Sequence, residues 1–310
     1  MAEVITLEQI GHWDNLELLA RQVVEGFIIG LHKSPYHGFS AEFSEHRPYN
    51  TGESTRNVDW KILARTDKVF VKKFEEETNL RAHIVLDASA SMYYPDNSRA
   101  PYNKIKFSVV AAAALIHLLR RQRDVVALDI FSDTIRYASQ AKSTTAHQRM
   151  LYAELEKVLN DKPQGQHSGI AACLHEVAEK AHQRSLIVIF SDMLDSMLGA
   201  DGESSDIFNA LQHLRHNKHE VILFYVHDKK HELEFTFDNR PHVFVDLETG
   251  EKVKLTPNDV KTTYVDKMQA FHKELIMRCG QYRIDVIEAD INKGFDQVLM
   301  PYLVKRAKLY

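Results

Sequence analysis

The stretch AHIVLDASASM, residues 82–92, decides the fold. Its first five residues make a short continuous apolar run, the pattern of a strand covered on both faces. The run ends on Asp87, and two serines, Ser89 and Ser91, follow at alternate positions separated by alanines. Small residues in a loop explain this pattern in one way; a metal site explains it in another. The rest of the chain has to discriminate between them.

Outward from this stretch the chain alternates between two periodicities. VVALDIFS (125–132), SLIVIFSD (185–192), EVILFYVHD (220–228) and YRIDVIEAD (282–290) read as further strands, with IRYAS (135–139) as a short edge strand. Between them lie helical patterns: 104–122, apolar most of the way round, then 146–159, 168–182, 205–217, about 259–278 and 293–307. HVFVDLETGEKVKL (242–255) reads as a hairpin about a Thr-Gly turn. Strands alternating with helices predict an α/β fold with a doubly wound, mostly parallel sheet and helices on both faces. Residues 7–31 predict a further helix. Residues 32–66 show no sustained period, a length of irregular chain that is usually functional or tied down by its own contacts. KVFVKKFEEET (68–78) reads as extended, pairing with the next strand or capping a sheet edge. The expected organisation is an N-terminal helix and extended wrap over 1–79, packed on a main domain over 80–310 that carries the hairpin near 242–255.

Composition narrows the function. The 310 residues are 44% hydrophobic and 26% charged, with a net charge of −4 and a pI near 6.5. That balance gives no electrostatic reason to expect a nucleic-acid partner. Cys173 and Cys279 form no CxxC pair and fall in helical segments, so a reducing compartment is expected rather than a disulfide framework. The first residues lack a basic segment followed by an apolar one, and FSVVAAAALIHLLR (107–120) is too short for a membrane span. A cytoplasmic protein is the expectation.

In doubly wound sheets ligands bind beyond the carboxyl ends of the strands. Asp87 follows one predicted strand, Asp192 follows another, and Ser168 lies in the polar loop DKPQGQHSG (161–169) at the start of a helix. Asp87, Ser89, Ser91, Ser168 and Asp192 can therefore converge on one rim. Two carboxylates and three hydroxyls form an oxygen-only set suited to Mg²⁺ or Mn²⁺.

Here the chain resembles a known fold. DASAS (87–91) matches the Asp-x-Ser-x-Ser signature of the metal-ion-dependent adhesion site of von Willebrand factor A-like domains. The resemblance implies that Ser89 and Ser91 bind the ion, with Ser168 at the position where that family has a threonine, and that Asp192 supports it. Serine keeps the hydroxyl but lacks the methyl that packs the loop. A second resemblance, carried by GLHKSPYHGFSAEFSEHRPYNTGESTRNVDWKILART (30–66), VKKFEEE (71–77), the adhesion-site motif and VFVDLETGE (243–251), runs from about Leu16 to the last helix. It is to the bacterial family numbered fifty-eight among the domains of unknown function. That resemblance implies an adaptor or maturation role beside MoxR-type AAA+ ATPases, and implies no reaction.

Other features read as structural. In 45–65, Asp59, Trp60 and Arg65 are expected in a structural wrap with Tyr49, while Glu45 and Arg47 leave a docking role open. His213, His216 and His219 recur every three residues, but the helix ends near Asn217, so a solvated helix end is expected. EEET (75–78) reads as a solvated strand end, and LLRRQR (118–123) as a helix end whose charge complements the helix dipole. No GxSxG, GxxxxGK[ST] or GxGxxG motif is present. An aspartyl phosphatase of the haloacid-dehalogenase type would need a carboxylate where Ser89 stands, and a lysine in a later loop for which the sequence offers no candidate. The expectation is therefore no catalytic residues. It is a metal-dependent interaction module that captures a partner's acidic side chain, with a MoxR-type ATPase as the candidate partner. A metal-dependent phosphohydrolase, or a metal-free scaffold docking through the N-terminal extension, is the alternative.

Overall fold

The computed structural model describes residues 15–32, 46–48, 64–65, 70–72, 80–95, 103–161, 169–194, 203–247 and 250–309. They fall into two compact units, 1–31 with 80–310, and 32–79. In the smaller unit β1 (His46–Pro48) pairs antiparallel with β2 (Phe70–Lys72). The extended reading of 68–78 thus holds at β2, but its partner is an upstream strand rather than the one that follows. Arg65 is exposed; Glu45, Tyr49, Asp59, Trp60 and the EEET run lie outside the described residues.

The larger unit is built on a six-stranded sheet. Its strands are β3 (Arg81–Asp87), β4 (Val125–Phe131), β5 (Ile135–Ala138), β6 (Leu186–Ser191), β7 (Glu220–His227) and β10 (Asp285–Asp290). Their order is β10-β7-β6-β3-β4-β5. All neighbours are parallel except β5, which returns antiparallel along β4 as an edge. A separate hairpin, β8 (His242–Val245) and β9 (Lys252–Leu255), matches the predicted turn. The doubly wound α/β architecture expected from the alternating pattern is the one observed.

Every position of β6 is buried, and so is all of β3 after Arg81, which is why both read as unbroken apolar runs. The period-2 geometry of a strand divides these residues between two cores. Ala82, Ile84 and Leu86 meet α1 (Leu16–His32), α2 (Lys104–Arg121), α3 (Thr145–Asn160) and α7 (Asp296–Leu309). Val85, Ile187, Ile189 and Leu223 meet α4 (Ile170–Lys180), α5 (Glu203–His216) and α6 (Pro257–Gln281). Each fully buried aliphatic or aromatic side chain here contributes about 1.5–3 kcal/mol by leaving water. The N-terminal helix shares the first core through Leu16, Leu19, Ala20, Val23 and Val24. The backbone N–H of Leu16 also donates to Glu156 Oε1 at 3.0 Å, which fixes the start of α1 on α3.

The structure corrects the reading of the histidine triplet. His213 Nδ1 lies 3.1 Å from His175 Nδ1 on α4, and His219 is fully buried rather than solvated. His219 lies past the end of α5, where the chain turns inward to start β7, and its Nδ1 accepts from the Ser185 N–H at 3.2 Å. Burial, with His83 nearby, pushes its pKa below the ordinary histidine value. Below about pH 6.5 the unfolded chain binds a proton at this ring before the folded one does, so this residue's contribution to stability falls with acidification. His219→Asn keeps an acceptor for Ser185. Urea midpoints measured between pH 8 and 5.5 should fall less steeply for this variant than for the wild type.

Candidate metal and interaction site

The strand order reverses between β3 and β6, since β3 is followed by β4 on one side while β6 and β7 extend the other. The crevice at that switch point is where such sheets place ligands. Asp87, the last residue of β3, and Asp192, immediately after β6, both reach it.

Asp87 is 1% exposed, and both its oxygens are engaged. The Ser89 N–H donates to Oδ1 at 2.9 Å, and Ser191 Oγ–H donates to Oδ2 at 2.6 Å. Burial, reinforced by the charge of Asp192, raises its pKa to about 7 against the pull of these hydrogen bonds. Beyond Asp87 the chain enters a 3-10 turn, Ala90–Tyr93, in which Ala90 and Met92 are buried. That turn sets Ser89 Oγ and Ser91 Oγ 3.1 Å apart. Ala88 and Ala90 are buried too, so larger side chains would force this loop open.

Asp192 is held by a residue the sequence did not single out. Lys104 is the first residue of α2 and is fully buried. Its Nζ donates to Asp192 Oδ2 at 2.8 Å and to Glu232 Oε1 at 2.5 Å. A cation in the first turn of a helix opposes the helix dipole, so the position depends on these carboxylates. Burial alone would lower the lysine pKa; Asp192 and Glu232 outweigh it, and the net direction is upward. Glu232, in the turn Lys229–Leu233 after β7, accepts from the Asp228 N–H at 2.8 Å. Burial raises its pKa against the attraction of Lys104. Asp228 in turn accepts from Asn292 Nδ2 at 3.0 Å. The rim is therefore one polar chain across the loops that follow β3, β6, β7 and β10. Met193, directly after Asp192, is buried with a φ of 53°, a strained conformation for a non-glycine residue at this rim.

Four of the five predicted site residues can be placed. Asp87, Ser89 and Ser91 share one loop, and Asp192 faces them closely enough to raise the Asp87 pKa. Ser168 lies outside the described residues. Its neighbour Gly169 is described: the Gly169 N–H donates to Ser132 O at 2.6 Å, just past the end of β4. Lys104, Glu232 and Ser191 were missed. A lysine opening a helix directly after Asn103, a capping residue, was the available signal for Lys104; nothing local marks Glu232.

Among the described residues no group of three or more His, Cys, Asp or Glu side chains is placed to hold a metal ion. A cation here would rest on hydroxyls. The donors fit that chemistry: adjacent oxygens of an octahedral Mg²⁺ site, at about 2.1 Å from the ion, stand roughly 3 Å apart, close to the Ser89–Ser91 separation.

Similar solved structures include a conserved hypothetical protein, BatB, from Bacteroides thetaiotaomicron. It has a TM-score of 0.47 and 13% identity over 75% of this chain and 100% of that one. The VWA domain of SpRpn10 has a TM-score of 0.33 and 11% identity over 71% and 94%. In sequence the chain is 27% identical over 179 residues to the uncharacterized proteins Rv1480 of Mycobacterium tuberculosis and Mb1516 of Mycobacterium bovis. The match spans 58% of this chain, and about half the length of these relatives, 55%. The family model described as Protein of unknown function DUF58 matches residues 45–274, and the chain belongs to that family.

Proposed function

We propose that this protein is a metal-dependent protein-interaction module. Ser89 and Ser91, with Ser168, would hold Mg²⁺ or Mn²⁺, while Asp87 and Asp192 orient hydroxyls and waters around it. The observation that carries this reading is the pair of serine hydroxyls 3.1 Å apart, backed by a buried carboxylate whose oxygens are already bonded to the same loop and to β6. Charge supports it. Asp87 and Asp192 are buried, Glu232 is half-buried, and one ammonium, Lys104, pairs with Asp192 and Glu232. Burial and the charge of Asp192 hold the Asp87 pKa up at about 7, and a divalent ion beside these carboxylates would stabilise its ionised form. Because hydroxyls rather than carboxylates would contact the ion, it would keep enough charge to take an acidic side chain from a partner. A MoxR-type AAA+ ATPase is the partner class this reading favours.

Calorimetry with Mg²⁺ and Mn²⁺ is the test. Wild type should give saturable heat with either ion, and Asp87→Ala should give none. Equal heats from the two proteins would rule the reading out. The partner is tested by pull-down of a MoxR-type ATPase with Mg²⁺ and with chelator; capture that survives chelation would favour docking through another surface.

A further inference from the structure

The other end of the same sheet carries a second polar cluster. His83 on β3 and Asp129 on β4 face α4, on the side where Val85, Phe131 and Ile187 form an apolar core. They are 7% and 4% exposed, and His83 Nδ1 lies 3.2 Å from Asp129 Oδ2. A buried pair of this kind is a weak source of stability, since well-packed apolar residues serve as well or better.

The pair lines a cavity of about 660 Å³, within the range of small-molecule sites. Arg81 at the start of β3 and Lys180 and His182 at the end of α4 line the same cavity, with Val125 and Val177 as apolar wall. His83 lies four residues before Asp87, so the cavity is about 13 Å along the strand from the rim, at a rise of about 3.3 Å per residue. Among the described residues Arg81 has no ion pair, while Lys180 pairs with Glu176 on its own helix. Asp129 takes the Nδ1 side of His83, which leaves Nε2 as the nitrogen available to a ligand. That nitrogen can accept the proton of a phosphate monoanion or, once protonated, donate to the dianion. A guanidinium, an ammonium and such an imidazole together suit a tetrahedral oxyanion better than a planar carboxylate. The volume beyond the anion leaves room for a small organic group against Val125 and Val177.

We propose that this cavity binds the phosphate group of a small phosphorylated molecule, held by Arg81, Lys180 and His83, with Asp129 orienting His83. The proposal does not depend on the metal reading. The test is titration of the full-length protein with inorganic phosphate and with glycerol 3-phosphate, following the His83 imidazole signals by NMR, assigned with His83→Gln. Chelator is present throughout, so that no cation at the rim can capture the anion. Both probes should shift the His83 signals saturably, and acetate at matched ionic strength should not. Arg81→Ala and Lys180→Ala, at solvent-accessible positions, should each weaken binding at least about tenfold. Absence of a saturable shift, an equal response to acetate, or unchanged affinity in both variants would overturn the proposal.

Discussion

Lys104→Met should destabilise the protein by about 3–5 kcal/mol, the range for removing one partner of a buried ion pair. The corresponding fall in Tm is on the order of 10 °C. Methionine approximates the length of the lysine stem, so packing is largely kept and the loss comes from the charges. Without the ammonium, the buried Asp192 and the half-buried Glu232 face each other, each having lost a hydrogen bond of 2.8 or 2.5 Å. Two features separate this from a cavity effect. The loss should shrink as pH falls toward the carboxylate range, where a proton can replace the missing cation. The triple variant Lys104→Met, Asp192→Asn, Glu232→Gln should recover much of the stability, because it removes the uncompensated charge. Denaturant unfolding at pH 7 and pH 5 measures both. A Lys104→Met loss that is independent of pH would mean that packing, not charge, makes the lysine important.

Gly169→Ala should cost about 3 kcal/mol, at the upper end of what one added methyl group costs in a closely packed site. A Cβ at Gly169 would fall onto the carbonyl oxygen of Asp133 and 2.8 Å from its carbonyl carbon. Both atoms are backbone, so no side chain can swing aside. The same glycine donates its N–H to Ser132 O, so the start of α4 would have to move away from the end of β4. Unfolding measurements report the cost. If the second loop serves the metal as proposed, Mg²⁺ affinity should fall in the folded variant as well. A variant as stable as wild type would show that the approach at Gly169 is not tight.

The sheet was legible because each central strand is buried on both faces, which writes apolar runs such as LIVIFS (186–191) directly into the sequence. The first loop was legible for a related reason. Asp87, Ser89 and Ser91 are neighbours in the chain, so their spacing survives in one dimension. The helix over 259–278 was read short at both ends: Thr256 is its N-cap and Pro257 its first residue, and at the other end it continues through Gly280 to Gln281. His219 was misread because nothing local shows that the chain turns inward after α5; only the Ser185 N–H across the β6–β7 boundary explains why an imidazole is buried there.

Residue order by itself determined an α/β chain with a carboxylate and two hydroxyls at the end of a buried strand. Only the tertiary structure decided how that rim is charged. Lys104 is 88 residues from Asp192 and 128 from Glu232, and no sequence period links positions so far apart. They meet because the start of α2, the end of β6 and the turn after β7 are brought to one edge by the strand order. At that edge burial makes each charge dependent on the others.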